Sequence, residues 1–135
     1  MKSVLLYIAD DGGLEARLQA ALDLTRSLGG HLHCLHANPY NAQLAVAGVT
    51  GISVMADIRE MSRELSSELR DKIEKRLADE DVSWDYREEN TEPSRGLSKN
   101  SALVDLIVLS SAGGQKDAAM PLGILGDVLF NATAP

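Results

Sequence analysis

Two short runs of unbroken apolar residues constrain this chain more than any other feature. Val4 to Ala9 lies near one end and Leu106 to Leu109 near the other. The first stops at Asp10-Asp11-Gly12-Gly13 and the second leads into Ser110-Ser111-Ala112-Gly113-Gly114, both turn-forming sequences. Runs this short, with β-branched members and no polar alternation, read as strands covered on both faces. A strand of that kind needs helices above and below it, and the intervening sequence supplies them.

From Leu14 the period changes. Leu14, Leu18, Ala21, Leu22, Thr25 and Leu28 recur every three or four residues and form one apolar stripe. Gly29-Gly30 closes this helix in the manner of a left-handed cap. His31 to Ala37 is a second strand, stopped by Asn38-Pro39. Residues 38–53 are small, weakly polar and without a period, a connection long enough to be a functional loop. A long helix is expected from Val54 to Leu77. Its buried face is Met55, Ile58, Met61, Leu65, Leu69, Ile73 and Leu77, and Glu68/Lys72 and Asp71/Lys75 pair along the wet side. Val82, Trp84 and Tyr86 alternate with Ser83, Asp85 and Arg87, the pattern of a half-exposed strand at a sheet edge, over Val82 to Glu88. Pro93 suits the first turn of a short helix over Ser94 to Leu103. Leu106 to Ser110 is the fourth strand, and a last helix covers Leu122 to Asn131. Strands alternating with helices imply an α/β fold: a three-layer, doubly wound parallel sheet, whose ligands gather at the carboxyl ends of the strands.

The 135 residues suffice for one domain, and the single Trp and single Phe leave an aliphatic core. Thirteen basic and twenty acidic residues give a net charge of −7, which opposes binding to nucleic acid or an anionic membrane. One cysteine, Cys34, excludes an internal disulfide and fits a reducing compartment. No signal peptide or membrane-spanning run is visible, so the expected location is the cytoplasm.

The whole chain resembles a universal stress protein domain. KSVLLYIADDGG and LEARLQAALDLTRSLGGHLHCLHANP are similar to that family's first strand, helix and second strand. ALVDLIVLSS is similar to its fourth strand, and LGILGDVLFNATAP to its final segment. The order of these segments is closest to the bacterial tandem type, in which two such domains share one chain. The resemblance implies a strand order of 3-2-1-4-5, and nothing after Ala134-Pro135 supplies the fifth strand. The chain, residues 1–135, is therefore expected to be a single domain and an N-terminal piece of a tandem protein. Its expected partner is a second such domain of the same or another chain, with homo-oligomers as the natural assembly.

The family's nucleotide-binding members carry G-x2-G-x9-G-[ST] after the fourth strand. Here Ser110 takes the first glycine position and Gly113 the second, and the pattern then reaches Gly123-Ile124 or, with a longer loop, Gly126-Asp127. Neither alignment has the hydroxyl. At Gly126-Asp127 a carboxylate stands where a donor should meet phosphate, and it repels phosphate unless a metal intervenes. The family's aspartate at the end of the first strand aligns with Ala9 or Asp10. ATP binding is expected to be degenerate or absent, in a domain that is not an enzyme and acts in the stress response. The alternative is an ATP- or AMP-binding domain whose 110–127 loop holds phosphates, with Mg²⁺ bridging Asp127. Candidate ligand-lining residues are Ile8, Ala9, Asp10, Ala37, Gly113, Gly126 and Asp127, in a crevice between the first and fourth strands.

Other features have two readings. Asp10-Asp11-Gly12-Gly13 is either a ligand loop or a helix cap. Gly113-Gly114, with Lys116, is either an anion cradle or a loop tip. His31, His33, Cys34 and His36 crowd one strand, but alternation puts His31 and His33 on one face and Cys34 and His36 on the other. Neither face then holds three ligands, so no metal site is expected. His36, at the strand's carboxyl end, is placed to line a pocket. Ser110 and Ser111 have no identifiable base partner, and a mid-strand Cys34 is expected to be inert.

Overall fold

The computed structural model describes residues 2–38 and 52–110, with side chains in the second stretch from residue 56 onward. Four strands, β1 (Ser3–Ile8), β2 (His31–Ala37), β3 (Ser83–Glu89) and β4 (Leu106–Val108), form one sheet in the order β3-β2-β1-β4. Every pairing is parallel, with Ser3 opposite His31, His31 opposite Ser83, and Val4 opposite Leu106. Parallel neighbours require crossovers, and three helices provide them: α1 (Leu14–Leu28), α2 (Ile52–Ala78) and α3 (Pro93–Ser101). The expected order 3-2-1-4 is thus present, with β3 at an edge as its alternation predicted. The expected helix at 122–131 lies outside the described residues.

The unbroken apolar run of β1 feeds both faces. Val4, Leu6 and Ile8 join Leu32 and Cys34 beneath Leu18, Ala21 and Leu22 of α1 and Leu69, Ile73 and Leu77 of α2. Leu5, Tyr7 and Leu35 meet Leu97 of α3 on the other side. Each fully buried leucine contributes about 2 kcal/mol of transfer free energy, and this double cover matches the unbroken apolar run from Val4 to Ile8.

Two turns set the entrance and exit of α1. Gly29 has φ +60°, and the Gly29 and Gly30 N–H groups close the helix on Arg26 and Thr25 carbonyls. At the other end Asp11 does not cap the helix. Its Oδ1 accepts the Gly13 N–H at 2.7 Å, folding the preceding loop back on itself, while Gly13 holds the cap position.

The apolar stripe expected on α2 is corrected over its first half. Leu69, Ile73 and Leu77 are buried as predicted, but Met61 and Leu65 are each 62% exposed, and Ser62 and Ser66 point inward in their place. The sheet lies under the carboxyl-terminal half of α2 only. Further toward its start, the helix overhangs the strand ends, and there Asn38 donates to Ser62 and Ser66. The ion pairs along this helix also differ from the expected two. Arg70 pairs with Glu74, Arg76 with Glu80, and Lys72 reaches Asp10.

Candidate functional site

The overhang of α2 roofs an open hollow among the described residues. A cavity of about 640 Å³ opens between the carboxyl ends of β1 and β2 and the underside of α2. Its volume lies within the usual range of small-molecule sites. Ile58, Met61, Leu65 and Leu69 form an apolar wall, and the strand ends at Ala9 and Ala37 form the floor. Polar groups enter only at a few points: Asp10 at the mouth, His36 on the strand, and Asn38 with Ser62 and Ser66. An apolar wall with a few polar groups suits a small, mostly uncharged ligand.

His36 is the polar group with unmet capacity. Its Nδ1 is buried and has no hydrogen-bond partner among the described residues. Burial lowers its pKa below the ordinary 6.5, against a smaller opposing pull from Glu88. The ring is therefore neutral at pH 7. Because the folded pKa lies below the unfolded one, the unfolded chain gains its proton first as pH falls. Stability contributed by neutral His36 is intact above about pH 6.5 and declines below it. Urea melts between pH 5 and pH 8 check this: a His36→Gln variant is expected to lose less stability on acidification than the parent.

At the neighbouring junction of β1 and β4, where the winding reverses, the structure places a residue that the sequence reading missed. Arg17, on α1, is buried with its guanidinium inside the turn. Nε donates to the Tyr7 carbonyl at 2.9 Å. Nη1 donates to Asp11 Oδ1 at 3.2 Å and to Ser110 Oγ at 2.7 Å. Nη2 donates to the Ala9 carbonyl at 3.2 Å and to Asp11 Oδ2 at 2.9 Å. A guanidinium has five N–H donors, and all five are engaged. The Tyr7 ring lies 5.6 Å from the guanidinium carbon and adds a cation–π contact. Arg17 thus ties the end of β1, the 9–13 loop and the end of β4 into one unit. Its position was visible in the sequence as a charged residue three after Leu14 and four before Ala21, inside the apolar stripe.

The expected site residues separate. Ala9, Asp10 and Ala37 line the cavity, beside β1 and β2 and beneath α2. Ile8 does not: it is fully buried in the core under the helices. Ser110 is held by Arg17. Gly113, Gly126 and Asp127 lie outside the described residues. Cys34 is buried and its thiol is pushed up to about 12, chiefly by desolvation, so it remains protonated and unreactive at neutral pH. No helix among the described residues is long and apolar enough to cross a membrane.

No known family profile and no curated protein matches the sequence. Solved structures do match the fold. Universal stress protein UspA from Lactobacillus plantarum superposes with a TM-score of 0.75 at 12% identity, covering 98% of this chain and 93% of that one. This chain has the universal stress protein fold. A universal stress protein from Archaeoglobus fulgidus gives 0.60 at 17% identity over 100% and 96% of the two chains. A member of the universal stress protein family from Burkholderia pseudomallei gives 0.62 at 16% over 99% and 92%. Within the universal stress protein fold, the cavity under α2 and the Arg17 junction are adjacent but chemically opposite, the one apolar and the other an internally neutralised ion pair.

Proposed function

We propose that this chain is a non-enzymatic universal stress protein domain of the stress response, with degenerate ATP binding, whose cavity takes a nucleoside-sized molecule without a triphosphate. The observation that carries this reading is the saturation of Arg17. The cation at the β1–β4 junction is held by Asp11, two carbonyls and Ser110, and has no donor left for a phosphate. The exposed Asp10 carboxylate at the cavity mouth, with Lys72 Nζ 3.7 Å away, offers a phosphate no donor of its own. On this reading the domain acts in the cytoplasm by packing against a second domain of its kind, in the same or another chain.

A second reading, adenine-nucleotide binding with Mg²⁺, is favoured by the position and volume of the cavity at the carboxyl ends of the strands. Native mass spectrometry of freshly purified protein separates the two. The first reading expects the bare chain or an adduct lacking a triphosphate. A stoichiometric ATP adduct that survives desalting establishes the second.

A further inference from the structure

On the opposite face and at the opposite end of the sheet, three side chains converge. His31 and His33 share the α3 face of β2, as alternation requires, and their rings lie 4.6 Å apart. The parallel register sets His33 directly opposite Asp85 of β3, with His31 opposite Ser83. His31 Nε2 stands 2.8 Å from Asp85 Oδ2, and His33 Nδ1 stands 2.6 Å from the same oxygen. The third ligand that one strand lacked is supplied by its neighbour. We propose that His31 Nε2, His33 Nδ1 and Asp85 Oδ2 form a binding site for a zinc-class divalent cation that clamps the edge strand β3 to β2.

Several observations favour a cation over a plain hydrogen-bonded triad. Two imidazoles converge on one carboxylate oxygen, while Asp85 Oδ1 is buried and accepts no hydrogen bond among the described residues. Its nearest cation is Arg87 Nε at 3.8 Å. The three ligand atoms lie within 4.8 Å of one another, and all three side chains are partly exposed, which leaves an entry path. Metal–ligand bonds of about 2.0–2.2 Å are reached by small side-chain rotations that part the three atoms. Two imidazole nitrogens and one carboxylate oxygen suit Zn²⁺ or a neighbouring transition metal, with water in the fourth position, and do not suit Mg²⁺ or Ca²⁺.

The outer partner is also in place. Ser83 Oγ lies 2.9 Å from His31 Nδ1. When Nε2 ligates a metal, Nδ1 carries the proton and donates to Ser83. Without metal, Nε2–H donates to Asp85 and Nδ1 accepts from the Ser83 hydroxyl. A hydroxyl serves both states, so Ser83 orients the ring in either.

The test is calorimetric titration of the metal-stripped full chain with Zn²⁺ in excess Mg²⁺, which blocks weak binding to surface carboxylates. One saturable equivalent is expected. His33→Gln keeps a hydrogen bond toward Asp85 but removes the imidazole, and Asp85→Asn removes the anionic ligand. Each should weaken binding by at least about 100-fold, while Ser83→Ala weakens it by about 10-fold. Imidazole NMR of the unmutated protein provides a check independent of variant folding: His31 and His33 ring signals shift on Zn²⁺ addition and those of His36 do not. No saturable binding, binding that survives both ligand substitutions, or unmoved His31 and His33 signals overturns the site.

Discussion

Replacing Arg17 by methionine is expected to lower the stability of this domain by about 3–5 kcal/mol, the usual cost of removing one partner from a buried ion pair. For a chain of this length that is a fall in melting temperature of about 10–20 °C. The methionine fills most of the same space, so the loss is electrostatic. Asp11 is left as a buried carboxylate opposite an apolar chain, and the Tyr7 and Ala9 carbonyls lose their donors. Arg17→Lys restores the charge but brings three donors at one nitrogen instead of five in a planar fork, and is expected to recover only part of the loss. Ser110→Ala removes a single bond and should cost about 1 kcal/mol. Denaturant melts of the three variants give the ranking. An Arg17→Met variant within about 1 kcal/mol of the parent would show that the junction does not depend on the guanidinium.

The second large effect is expected at Gly30. A Cβ built there meets the Lys2 carbonyl oxygen at 2.2 Å, and that oxygen already accepts the His31 N–H at 2.9 Å. Neither atom can move without parting β1 from β2 at the start of their ladder, so Gly30→Ala should cost about 2–3 kcal/mol, in the range of overpacked cores. Gly29 offers the control. It has the left-handed φ of +60°, yet a Cβ there meets nothing within 4 Å. Gly29→Ala pays only the backbone term, about 1 kcal/mol. Thermal melts in which Gly29→Ala is the more damaging of the two would contradict the close-approach account.

Most of the fold was legible because it rests on local period and burial. The uninterrupted run of β1 announced cover on both faces, and the alternation of Trp84 and Tyr86 with Ser83, Asp85 and Arg87 announced the edge position of β3. What escaped was what depends on where an element stops being covered. Met61 and Leu65 match the helical stripe of α2 as well as Leu69 does, but only the sheet's extent decides that they rim a cavity rather than enter the core. Alternation within β2 places His31 and His33 on one face, but it counts side chains on one strand only. The register with β3 brings in Asp85, and register is a tertiary fact. Arg17 was visible as a charge in an apolar stripe, but its partners come from three separate segments of the chain.

The junction of β1 and β4 holds a guanidinium committed to the protein, and the proposal built on it is that phosphate groups add nothing to binding beneath α2. Calorimetric titration of the full chain with adenosine and with ATP, each with and without Mg²⁺, tests it directly. The account predicts that ATP binds no more tightly than adenosine in either condition. ATP binding about 100-fold tighter than adenosine, a gain of about 2.7 kcal/mol from the phosphates, would contradict it.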